Sequence, residues 1–350
     1  MDILNNTVIT NDCIRVSVDV SEEELHNFCV ENGDMLFQRS SETLEDVGRA
    51  NVYMDDKPAV FGGFVIRGKK KAEYNPLFFR YLLASPFARR KIIPMGAGAQ
   101  HVNIGQEGLN RVKLHFASLD EQKKIATFLS LLDERIATQN KIIEDLKKLK
   151  SAIIDYAMNS IDADFIKFSS LYEIAGEGGT PTTSNASFYD NGKIPFIKID
   201  DLKKKYLNEN KDFITELGLQ KSSAWLVPSR SILFSNGATI GEITITTYPV
   251  CTKQGILGIV PKSNIDVEFL YYFMSSSYFK KAVSRIVTEG TMKTAYLKDI
   301  NNIRCPIPTK GKQQEIAQMP SALSSKIDSE QSILKLFYAQ KQYLLRQMFI

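Results

Sequence analysis

The sequence predicts an α+β protein in which two mixed α/β units are separated by two long helices. The helices are expected to pack as an antiparallel coiled coil, with the whole chain forming a pseudo-two-fold internal repeat. Three observations carry this reading. LNRVKLHFASLDEQKKIATFLSLLDERIATQNKIIEDLKKLKSAIIDYAM, from Leu109, aligns without a gap with INNIRCPIPTKGKQQEIAQMPSALSSKIDSEQSILKLFYAQKQYLLRQMF, from Ile300, at an offset of 191 residues. In the first copy apolar residues recur in alternating steps of four and three, the 3.5-residue period of a coiled-coil seam. Ahead of each copy lie short strand-like runs and a helical stretch, the signature of a mixed domain.

Residues 1–118 form the first predicted unit. GDMLFQRSS from Gly33 and AVFGGFVIRG from Ala59 read as strands, and NPLFFRYLLASPFARR from Asn75 reads as a helical stretch. Residues 119–159 form the first long helix, whose seam is Ile125, Leu129, Leu132, Ile136, Ile143, Leu146 and Ile153. Gln139 and Lys150 take two polar slots in that ladder. Such a helix is roughly 60 Å long at ~1.5 Å per residue.

Residues 160–308 form the second unit. IPFIKI from Ile194, SILFS from Ser231, GEITITTY from Gly241 and GILGIV from Gly255 read as strands, and Val267 to Ile286 as a helical stretch. RSILFSNGA parallels GDMLFQRSS, and VEFLYYFMSSSYFKK parallels NPLFFRYLLASPFARR. Residues 309–350 form the second long helix, with Ile316, Leu323, Ile327, Leu334, Phe337 and Leu344 on its seam. Its polar slots, Glu330 and Lys341, fall at the places of Gln139 and Lys150. Independent helices seldom break their seams at matching places, so the pattern is a duplication.

Connectivity sets the direction of the pair. The first helix enters the second unit and the second helix leaves it. A parallel pair would need that unit to span ~60 Å, whereas an antiparallel pair needs only a local return. The units are then expected at opposite ends of a rod, an arrangement suited to reading two places on an extended partner such as DNA. Pro320 removes a backbone hydrogen bond inside the second ladder, so that helix is expected to start, kink or restart there. Phe165 to roughly Asn210 has no counterpart before Met1, so the first unit reads as N-terminally incomplete.

A chain of 350 residues has room for two or three domains. Hydrophobic content of 43% and charged content of 24% exclude wholesale disorder. A net charge of +4 and a pI near 8.6 permit nucleic acid as a partner without requiring it. Cys13, Cys29, Cys251 and Cys305 form no CxxC pair and read as reduced thiols of a cytoplasmic protein. The opening MDILNNTVITND has no signal-peptide pattern and no apolar run approaches ~18 residues, so neither export nor membrane insertion is expected.

Enzyme signatures are missing from the sequence. No P-loop and no NPPY or DPPY motif occurs, and His26, His101 and His115 lack metal-ligand spacing. Asp200, Asp201 and Lys203 read as a solvated turn. A non-catalytic chain without cofactor or metal is expected.

The helix DEQKKIATFLSLLDERIATQNKIIEDLKKLKSAIIDYAM resembles the spacer helix of type I restriction–modification specificity subunits. LYEIAGEGGTPTTSNASFYDNGKIPFIKIDDL resembles the opening of a target recognition domain, and SSETLEDVGRA is similar to another segment of such domains. The resemblance covers essentially the whole chain. It implies two recognition domains, each reading half of a bipartite site on double-stranded DNA. It also implies helices that set the unread spacer and bind two methyltransferase subunits, in an assembly that recruits an endonuclease–translocase subunit. The N-terminus departs from the pattern, because it lacks a GxTP-like opening. The competing reading is a coiled-coil adaptor that binds only proteins.

Base edges are read by Arg, Lys, Asn, Gln, Ser and Thr, and phosphates are held by cations and backbone amides. Candidate contacts in the second unit are therefore Thr180, Thr182, Thr183 and Ser184; Asn236 and Thr239; Lys253 and Gln254; and Thr291, Lys293 and Thr294. In the first unit they are Arg39, Ser40 and Ser41; Arg67; and Gln100, His101 and Asn103. The same residue types also make ordinary surface turns. Phe79, Tyr81, Tyr271, Tyr272 and Phe273, at helical spacing, read as core.

Overall fold

A computed structural model describes residues 2–98, 100–237, 239–287 and 293–349. The chain divides into two compact units, Met1–Ile143 with Glu330–Ile350, and Glu144–Ser329.

In the first unit, Met35–Gln38 is the centre of an antiparallel three-stranded sheet, flanked by Ala50–Val52 and Val65–Gly68. Period-two alternation sends Met35 into one core with Val52 and Ile66, and Leu36 into another with Ile9 and Tyr53. A further short pair joins Ser40–Ser41 to Val102–Asn103. The helical stretch from Asn75 is two helices, Pro76–Ala84 and Pro86–Ile92. Ser85 divides them: its hydroxyl donates to the Leu82 carbonyl at 2.6 Å and accepts from the Ala88 amide at 3.3 Å. Pro86 behind it disfavours helical backbone at Ser85, which explains the break.

In the second unit, a five-stranded sheet runs in the order Tyr206–Leu207, Ile243–Thr246, Ile232–Ser235, Ile256–Pro261, Tyr172–Glu177. All neighbours are antiparallel except the first pair. Ile232 and Phe234 pack beneath the helix Val267–Ser275, while Leu233 packs on the other face with Ile197, Leu207 and Val250. Both faces are covered, so the central strand is buried throughout. The helical stretch Val267 to Ile286 is likewise two helices, Val267–Ser275 and Ser277–Ile286. Ser276 does what Ser85 does, donating to Phe273 at 2.6 Å and accepting from Phe279 at 3.3 Å.

The long helices are Leu119–Asn159 and Lys310–Gln347. In the first unit, Tyr81 and Phe78 pack with Leu129, Leu345 and Phe349. In the second, Ile154 and Met158 share a core with Ala317. Every seam residue named above is buried or half-buried. Their direction is antiparallel: Lys341 pairs with Asp133, and Glu330 with Gln139, so numbers fall on one helix as they rise on the other. The second long helix neither starts nor restarts at Pro320. The helix begins at Lys310 and runs through the proline. Pro320 is buried on the seam, and the Ser324 hydroxyl donates to its carbonyl at 3.0 Å.

The duplication extends to individual hydrogen bonds. Gln122 accepts from the Asn75 amide at 3.0 Å and donates to the Ala117 carbonyl at 2.8 Å. Gln313, its repeat mate, accepts from the Asp266 amide at 2.8 Å and donates to the Pro308 carbonyl at 2.9 Å. In both units a buried glutamine at the start of the long helix ties down the N-terminus of the short helix that packs on it.

Candidate nucleic-acid interface

The sheet of the second unit ends in four loops that meet. After the strand Tyr172–Glu177 the chain passes through Gly178 and Gly179, which are squeezed against neighbouring backbone. A Cβ on Gly178 would lie 2.2 Å from the Thr252 carbonyl oxygen, and one on Gly179 would lie 2.4 Å from the Ala224 nitrogen. Glycine is required there by close approach. This seats Thr180 against the turn before Ile256–Pro261: the Gln254 amide donates to Thr180 Oγ1 at 3.3 Å, and the Gly255 amide to Glu177 at 2.9 Å. Gly255 has φ +91, in the left-handed region that glycine adopts readily. The Asn236 amide donates to the Gly255 carbonyl at 3.0 Å, and the Ala295 amide to the Asn236 carbonyl at 2.9 Å, joining two further loops.

The result is a recess of about 600 Å³ into which Thr180, Thr239, Lys253, Gln254 and Thr294 all face, with Glu177, Lys198 and Asp200 also on its wall. Lys253 is exposed and has no ion-pair partner among the described residues. Lys198 is paired with Asp212 at 2.8 Å. Lys203, 3.0 Å from Asp200, holds that carboxyl below its ordinary range. Neither Lys198 nor Glu177 was a sequence candidate, because nothing local marks a strand end as facing a recess.

The other candidates are placed differently. Thr182, Thr183 and Ser184 are exposed on the turn before the short helix Ala186–Phe188, beyond the recess lining. Asn236 is 1% exposed and its amide donates to the Ala295 carbonyl at 3.3 Å, so it braces the loops and does not face solvent. Lys293 is exposed at the edge of an apolar cavity of about 430 Å³ lined by Phe234, Met274, Phe279 and Val283. Thr291 lies outside the described residues.

In the first unit Arg39 is exposed, Ser40 pairs with Asn103, and Gln100 and His101 are exposed beside them. The Asn103 amide donates to the His101 carbonyl at 3.2 Å. Ser41 is buried, and its hydroxyl accepts from the Thr43 amide at 3.2 Å. Arg67 is committed elsewhere. Its guanidinium pairs with Asp34 at 2.6 Å and Glu31 at 3.2 Å, with 12% of the side chain exposed. The aromatic residues Tyr81, Tyr272 and Phe273 are almost wholly buried, while Phe79 and Tyr271 are half-buried.

Among the described residues no group of three or more His, Cys, Asp or Glu could hold a metal ion, and no helix is long and apolar enough to cross a membrane. The four cysteines are free. Burial pushes the Cys251 thiol up to about 11, away from reactivity.

A protein-family model described as the type I restriction modification DNA specificity domain matches residues 1–148 and 161–336. The chain belongs to this family. It is a DNA specificity subunit of a type I restriction–modification system, and is itself non-catalytic. The MjaVIII specificity subunit of Methanocaldococcus jannaschii is 26% identical to this specificity subunit over 300 residues, which is 79% of this chain and 70% of that protein. Two solved structures share the fold. A chain of a type I restriction–modification system, solved in a study of complex assembly and conformational transition, has a TM-score of 0.61 at 16% identity, over 91% of this chain and 81% of that one. The specificity subunit of M. genitalium has a TM-score of 0.53 at 17% identity, over 92% and 84%.

Proposed function

We propose that this specificity subunit reads a bipartite site on double-stranded DNA. In this reading residues 160–308 recognise one half through the recess of Thr180, Thr239, Lys253, Gln254 and Thr294. Residues 1–118 recognise the other through the loops of Arg39, Ser40, Gln100, His101 and Asn103. The observation that carries the proposal is the convergence, from four loops, of hydroxyl, amide and ammonium groups on one recess. Threonine and glutamine have the donors and acceptors that distinguish base edges, and an unpaired lysine suits a phosphate.

The helices, residues 119–159 and 309–350, then serve as spacer and scaffold. Because their surfaces repeat with an approximate two-fold relation, they suit two copies of one partner, here the methyltransferase subunits of the same system. The endonuclease–translocase subunit joins that assembly. A DNA substrate puts the subunit in the cytoplasm.

Selection of bound duplexes from a random pool, using the chain assembled with its methyltransferase subunits, tests this reading. The expected outcome is a shared sequence with two short defined segments, bound with affinity that falls steeply with salt. Recovery of no shared sequence would favour the protein-only adaptor.

A further inference from the structure

We infer that Phe64 is the residue with which the first unit engages a DNA base, its ring stacking on a base or entering a base step of one half-site. This rests on the bipartite reading above and assigns a contact within it. Phe64 is 78% exposed, more than any other large apolar side chain among the described residues. Covering that ring with a base would remove its apolar area from water.

Its backbone is held in place. The Arg39 amide donates to the Phe64 carbonyl at 2.9 Å, and the Val65 amide closes a turn onto Gly62 at 3.0 Å. Gly62 and Gly63 beside it have open space where side chains would stand. A fixed backbone with an uncovered ring presents an aromatic face at little further loss of conformational freedom.

The repeat says which way that position faces. In the first unit the Ile104 amide donates to the Arg39 carbonyl, and the Arg39 amide to the Phe64 carbonyl, each at 2.9 Å. In the second unit Ala295, Asn236 and Gly255 make the same chain of bonds. Phe64 therefore stands where Gly255 stands, and Gly255 lines the recess beside Lys253 and Gln254. Close by, the exposed Arg39 guanidinium donates to the Gly63 carbonyl at 3.4 Å. A cation and a bare ring on one loop pair match a polyanion with stackable bases. The second unit has glycine at this place, so only one half-site is read in this way.

The test uses the chain assembled with its methyltransferase subunits and a duplex carrying the site found by selection, with 2-aminopurine placed in each half-site in turn. Phe64→Ala should weaken binding about ten-fold, because base stacking on an aromatic ring is worth that much or more. It should abolish the fluorescence change in one half-site only. The salt slope should stay the same, since no phosphate contact is lost. Phe64→Trp should retain affinity and signal, and Phe64→Leu should lose the signal. If Phe64→Ala binds like the parent while Lys253→Ala binds more weakly, the stacking role is wrong and the bipartite reading stands. If neither substitution affects binding at either half-site, both are wrong.

Discussion

Gln139 donates from its side-chain amide to both the carboxylate and the main-chain carbonyl of Glu330, the latter at 3.1 Å, and the two residues stand 191 positions apart. That is the repeat offset itself, so each residue meets its own duplicate. Such self-contact occurs only where a two-fold relation maps one helix onto the other. Both side chains are buried, at 7% exposed each. A buried polar pair in an apolar seam is a device for register.

Gln139→Leu should lower the melting temperature, because it removes a donor from a buried carboxylate at a cost on the order of 1–3 kcal/mol. The double change Gln139→Leu with Glu330→Leu should recover most of that loss. Thermal denaturation of the parent, the single variant and the double variant checks it. A double variant no more stable than the single one would contradict the pairing.

The duplicated lysines should respond in opposite ways. Lys341 pairs with Asp133, which also accepts from Tyr81 at 2.8 Å. At the matching place Lys150 meets a hydroxyl in place of a carboxylate, that of Ser324, at 3.4 Å. Burial pushes the Lys150 ammonium below its ordinary range, partly opposed by Asp328 and reinforced by Lys205, Lys147 and Lys280. Lys150→Met should therefore leave the melting temperature unchanged or raise it. Lys341→Met should destabilise by on the order of 2 kcal/mol, by removing one of the two cations, the other being Arg80 at 3.4 Å, that face the buried Asp133 carboxylate. Equal losses from both would refute the distinction.

Glu268 should make the second unit acid-sensitive. Burial raises its carboxyl, but hydrogen bonds from Lys205 at 2.6 Å, Ser321 at 2.6 Å and Tyr206 outweigh this and hold it below its ordinary 4.5. A carboxyl lowered in the folded state contributes stability that is complete above its unfolded value and is lost as pH falls through the folded one. Melting temperature should thus fall as pH drops below 4.5, and less so in Glu268→Gln. Parallel curves for the two proteins would show that this carboxyl is not the cause.

Lys253 and Lys293 separate two kinds of surface. Lys253→Ala should weaken DNA binding and reduce the salt slope by about one, as expected for a lost phosphate contact. Lys293, at the edge of an apolar cavity, should show the same change only if DNA reaches that edge. Titrations across a salt series decide each. An unchanged slope for Lys253→Ala would remove it from the interface.

Much of this architecture is legible in the chain, and the reasons are local. The seam was readable because every residue from Ile125 to Leu344 acts through a fixed helical period. The breaks at Ser85 and Ser276 were not read from the sequence: Pro86 supplies a local reason for the first, whereas the second has no proline and is recognised only through the repeat. Long-range pairing hid the rest. Arg67 looks like a free cation until Asp34, 33 residues earlier, folds against it. Asn236 looks like a loop tip until the segment at Ala295 covers it. Lys198 and Glu177 reach the recess through sheet order, which no local spacing encodes.

One chain is expected to read two separated half-sites. Sequencing of methylated bases in a host expressing this subunit with its methyltransferase partners tests it most directly. The account predicts a single methylated motif of two short defined segments with an undefined gap of constant length between them. Removing one matched heptad from each long helix should shorten that gap by about three base pairs, from ~1.5 Å per residue of helix and ~3.4 Å per base pair. A contiguous motif, or no methylated motif at all, would contradict it.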